Sequence, residues 1–65
     1  MNPNMLRQFW SLIEQISPEI PLSLDDNTLT QWLLRQMRSQ RFLSQEEARQ
    51  LDHYIHDRLP LIREW

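Results

Sequence analysis

Residues 43–48 read Leu-Ser-Gln-Glu-Glu-Ala. Ser44 stands three positions before Glu47, which is the spacing of a capping box. The serine hydroxyl can accept from the backbone N–H of residue 47, while the glutamate carboxylate reaches back to the N–H of residue 44. Leu43 before the cap and Ala48 four positions into the helix supply the apolar staple that fixes the entry angle. A helix therefore begins at Gln45, and this is the most specific local signal in the chain. Ala48, Leu51, Ile55 and Leu59 then recur at helical spacing. Pro60 disfavours helical geometry in the residue before it, so the sequence predicts a helix over 45–59 and a separate short turn, Leu61 to Trp65, opened by the proline.

Working back toward the N-terminus, Ser39 to Leu43 is a short turn. Before it, Leu29, Trp32, Leu33 and Met37 share one face of a helix over about 26–39, introduced by the cap-forming Asp25, Asp26 and Asn27. Gln36 and Gln40 fall inside that apolar stripe. Either its end is open to water or the amides bond across an interface, because a buried amide without partners is costly. Residues 18–24 break the helical period. Pro18 and Pro21 bracket Glu19-Ile20, and Ile20, Leu22 and Leu24 alternate with polar or proline positions, which predicts an extended strap lying over the core. At the start of the chain, Asn2 is a cap and Pro3 a first helical residue. From there Met5, Leu6, Phe9, Trp10, Leu12, Ile13 and Ile16 mark a first helix over 3–17, ended by Pro18.

The expected fold is thus all-α: a compact three-helix mini-domain, residues 1–65 as one unit, with an extended 18–24 strap and a short C-terminal helical turn. Eleven Leu, five Ile and six aromatic residues among 65 are a generous apolar set, and a disordered chain would be poorer in them. The core they form is still thin for lack of length, so a partner subunit would add burial that it needs.

Composition removes several chemistries. Without cysteine there is no disulfide or thiolate metal site, and without glycine there is no phosphate-cradling loop. A net charge of −2 is too small to argue for nucleic acid or an anionic membrane, and no apolar run approaches the ~20 residues of a membrane span. The N-terminal residues carry neither a basic start nor an apolar block, and a cytoplasmic location is expected.

His53 and His56, flanked by Asp52 and Asp57, are the only group that resembles a metal or acid–base site. On the helical wheel, however, His53 lies nearly opposite the apolar centre and Arg49 projects between the two rings, where its charge would repel a cation. A solvated face with Asp52–His56 and His53–Asp57 surface pairs fits better. No serine has a histidine near it in sequence. The expectation is a non-enzymatic chain with no catalytic, cofactor-binding or metal-binding residues and no small-molecule substrate.

Charge is distributed unevenly. Residues 27–43 carry Arg35, Arg38 and Arg41 and no acid, whereas residues 44–65 carry five acids against three arginines. A helix-turn-helix geometry would drive Glu46 and Glu47 toward a polyanion, which argues against DNA. The first helix is more suggestive. Its apolar arc spans about 160°, wider than the ~100° stripe of a helix packed on one side, with Leu6 and Trp10 at one edge. A symmetric dimer or the strap could cover that edge. The sequence therefore points to a protein-interaction module, self-associating or otherwise, with Leu6, Trp10, Arg35, Arg38 and Arg41 as candidate partner-binding residues. The alternative is a small nucleic-acid-associated regulator using the three arginines.

Overall fold

The computed structural model describes residues 3–64; Asn2, expected as a cap, and Trp65, the end of the expected C-terminal turn, lie outside that range. Three helices share one core: α1 (Pro3–Ile16), α2 (Asp26–Gln40) and α3 (Gln45–Arg63). Helix α1 begins on Pro3, whose missing N–H would have had no intrahelical partner there. It buries Met5, Phe9 and Ile13 completely and Leu12 almost so. Helix α2 starts after Asp25, with Leu29 N–H bonded to Asp25 carbonyl at 2.9 Å. Its buried face is Leu29, Thr30, Leu33, Leu34 and Met37. In a chain lacking glycine, α2 closes by stepping directly into extended backbone at Arg41 (φ −156°, ψ 154°), whose N–H still reaches Met37 carbonyl. Helix α3 starts with the expected capping box: Ser44 Oγ accepts from Glu47 N–H at 3.1 Å, and Glu47 Oε1 accepts from Ser44 N–H at 3.0 Å. Leu43 and Ala48 are both buried beside it as the staple. Side chains then tie α2 antiparallel to α3, through Arg41–Glu47 at one end and Asp26–Arg63 at the other.

The ends of two expected elements are corrected. First, α3 does not stop at Leu59. Pro60 lies inside it and the helix runs on to Arg63, so the separate C-terminal turn merges into α3. Proline here removes the bond it would have donated to His56 carbonyl. Tertiary contacts outweigh that loss. Ile62 is fully buried, and the Arg63 guanidinium bonds Leu22 carbonyl, Leu24 carbonyl (2.9 Å) and Asp26 Oδ1 (2.7 Å). Second, residues 18–24 are not an extended strap. Pro18 ends α1 and opens one turn of 3₁₀ helix, Ser17–Glu19. Ile20 is then extended (φ −67°, ψ 123°), followed by a tight turn from Leu22 N–H to Ile20 carbonyl (2.9 Å) and another from Leu24 N–H to Pro21 carbonyl (3.1 Å). The first of these turns is centred on Pro21, whose fixed φ suits it. The segment still covers the core with Ile20 buried and Leu24 half-buried, but Leu22, expected on the same face, is turned out. The radius of gyration is 10.8 Å, close to the ~11 Å of a compact chain of this length.

Candidate interaction surface

The surface of interest lies where α1 meets the last turn of α3. Arg7, Trp10, Ser11 and Glu14 form one stripe along α1, at spacings of three, one and three residues. Leu61 closes the groove from α3. Helix α1 presents these residues because its opposite face is consumed by Met5, Phe9, Leu12 and Ile13. Leu61 faces out because it follows buried Leu59 by two positions, about 200° around the helix. It is 51% exposed.

Trp10 is fixed in place. Its indole N–H donates to Tyr54 Oη at 2.8 Å. The ring stands edge-on to Phe9 (centroids 5.2 Å apart, planes at 70°) and to Tyr54 (6.3 Å, 78°), while Phe9 and Tyr54 meet edge-on at 6.2 Å. The Arg58 guanidinium lies 5.0 Å from the Tyr54 ring centroid. Edge-on triads and a cation over an aromatic face are favourable arrangements of ring quadrupoles. Trp10 is thus half-buried, with one part of its ring in the core and another lining the groove. Leu6, expected at the same edge, is half-buried and does not line the groove; Leu61 takes that apolar role. Tyr54 and Leu61 were missed in the sequence, the second because a helix ending at Leu59 gives it no defined face.

The arginines divide. Arg41 is drawn into the fold, with Nη1 donating to Gln8 Oε1 at 2.9 Å and Nη2 3.5 Å from Glu47 Oε2. Arg35 and Arg38 stand exposed on α2, without an ion pair to any other described residue. The structure therefore does not present the three as one free patch. The Glu47 carboxyl is held below its ordinary value of 4.5, first by the Ser44 backbone N–H, with further help from the Ser44 hydroxyl and the Arg41 charge. Phe42, between Arg41 and buried Leu43, is the most exposed large apolar residue described, at 84%.

Neither expected acid–histidine surface pair forms. His53 and His56 are both exposed, and His56 Nδ1 instead lies 3.3 Å from Thr30 Oγ1. Thr30 hydroxyl donates to Asp26 carbonyl at 2.8 Å, so the contact with His56 requires Nδ1–H as the donor. Among the described residues no three His, Asp or Glu side chains are grouped to hold a metal ion. Gln36 and Gln40 occupy the open end of the α2 stripe, Gln36 half-buried and Gln40 in water. No described helix is long and apolar enough to cross a membrane. Compared with known protein families, curated proteins and solved structures, the chain matches none.

Proposed function

We propose that this chain is a non-enzymatic interaction module that docks a protein partner on the groove between α1 and the end of α3. One observation carries the reading: an exposed leucine, Leu61, stands beside a tryptophan locked by Tyr54 and Phe9, framed by a cation and a carboxylate. A rigid aromatic beside an apolar side chain loses little entropy on binding, and tryptophan is among the residues enriched in binding hot spots. Arg7 and Glu14 supply the polar rim. A cytoplasmic location belongs to the same proposal, and fractionation of cells producing the full chain tests it. The nucleic-acid reading finds less support, because Arg41 is occupied by Glu47 and Gln8.

The test is a photo-activated cross-linking residue placed at exposed Ser11, with a second chain carrying it at exposed Asn27 as control. A discrete adduct formed in cells from position 11, absent from position 27 and lost on Leu61→Asp, is expected. No adduct at position 11 overturns the reading.

A further inference from the structure

The charge pattern of the groove names its occupant. Arg7 and Glu14 are seven residues apart, so they lie on one side of α1 and about 10.5 Å apart along its axis. That is too far for them to pair with each other. Neither side chain makes a hydrogen bond or ion pair with another described residue, and both are exposed. The midpoint between them falls between Trp10 and Ser11, the centre of the groove. A stripe with a cation at one end, a carboxylate at the other and an apolar centre is complementary to its own reversed copy.

We propose that the groove binds a second copy of this chain, with the two α1 helices antiparallel about a two-fold axis passing near Trp10 and Ser11. This inference rests on the reading of the groove as a docking surface and specifies its partner. In the antiparallel arrangement Arg7 of each copy faces Glu14 of the other, giving two identical ion pairs from one stripe, as an isologous interface requires. Trp10 and Leu61 of both copies meet between those pairs. The parallel alternative puts Arg7 against Arg7 and Glu14 against Glu14, and like charges at such spacing repel. Charge alone therefore selects the orientation.

The dimer is expected to be weak. A standard interface of ~800 Å² per partner would take nearly a fifth of the 4409 Å² surface of this chain, and one α1 stripe with Leu61 offers less than that. The dissociation constant should lie on the order of tens of micromolar, rising with salt as the ion pairs are screened.

Sedimentation equilibrium from low micromolar to several hundred micromolar tests the proposal. The wild-type chain should pass from 8.0 kDa toward twice that mass. Arg7→Glu and Glu14→Arg should each weaken association by roughly tenfold, since each sets two like-charge pairs across the axis. The doubly substituted Arg7→Glu/Glu14→Arg chain, with the pattern inverted but still complementary to itself, should recover most of the loss. Far-UV circular dichroism should show all of these chains folded, because neither side chain has a partner within its own described residues. A wild-type chain that stays at 8.0 kDa throughout, or a double variant no better than the single ones, overturns the proposal. The cross-linking residue at Ser11 separates this failure from that of the docking reading. A monomeric chain that forms an adduct with a partner of another mass refutes the dimer alone, whereas no adduct of any mass refutes both.

Discussion

Ile62 tests the part of the fold that departs furthest from local expectation. It lies two residues beyond Pro60 and is completely buried, while its neighbour Leu61 is half exposed. Ile62→Val removes one methylene from a closed site, at about 0.8 kcal/mol for the transfer, with a small cavity contribution that brings the loss to about 1 kcal/mol. The unfolding entropy of 65 residues at ~2.1 cal/mol/K each is about 0.14 kcal/mol/K, so that loss lowers Tm by about 7 °C. Leu61→Val removes the same methylene from a surface position and should stay within about 0.5 kcal/mol, or a few degrees. Thermal unfolding followed by circular dichroism at low micromolar concentration, below the dissociation constant proposed for the dimer, compares the two directly. If α3 ended at Leu59, residues 61 and 62 would lie in a loose turn and the two variants would behave alike. Equal Tm values for them would refute both the continuous helix and the burial assigned to Ile62.

At the other end of α3, Ser44→Ala leaves Glu47 N–H without its acceptor and should cost about 1 kcal/mol, while Ser44→Gly should cost only a few tenths; equal losses, measured by urea unfolding, would mean that the serine acts through something other than the cap. The lowered Glu47 carboxyl gives a pH dependence of definite sign. The stability it supplies is present above its ordinary value of 4.5 and is lost as the pH falls through the lower folded value. Glu47→Gln, which keeps an acceptor but cannot titrate, should therefore show a smaller fall in Tm between neutral pH and pH values well below 4.5 than the wild type does; an identical fall would place the acid sensitivity elsewhere. Arg35→Glu/Arg38→Glu should leave the fold intact, and the wild-type chain should show no nucleic-acid binding in fluorescence anisotropy at physiological salt; salt-sensitive binding abolished by this pair of substitutions would instead favour the regulator reading.

What could be read from the sequence follows from how far each rule reaches along the chain. The capping box, the Pro3 start and the Pro18 stop involve groups within a few residues of each other, and all three stand in the structure. The alternation of Ile20, Leu22 and Leu24 puts all three against the core, and the structure keeps Ile20 and Leu24 there but turns Leu22 out. The alternation assumes extended backbone, and the turns after Pro18 and around Pro21 break it, so Ile20 and Leu24 pack while Leu22 faces out. The sequence puts Trp10 at the edge of the apolar arc of α1, between core-facing and outward-facing positions. Its hydrogen bond to Tyr54, 44 positions away, resolves this as a ring that is partly each. Arg41 looked like one third of a free patch until the α2–α3 turn brought Glu47 and Gln8 to it.

Pro60 and Leu61 are a single misreading with two consequences. The local rule stops a helix before proline, and it fails here because Ile62 enters the core and Arg63 grips the carbonyls of Leu22 and Leu24. Once α3 continues, the 3.6-residue period turns Leu61 away from the core that Leu59 and Ile62 enter and sets it beside Trp10. The apolar part of the groove therefore depends on an Arg63 contact made to a linker some 40 residues earlier in the chain. The stability of the last turn of α3 and the presence of the groove are coupled. A substitution that frees that turn, such as Arg63→Ala, should weaken self-association without touching any groove residue, whereas the charge framing contributed by Arg7 and Glu14 is intrinsic to α1 and survives it.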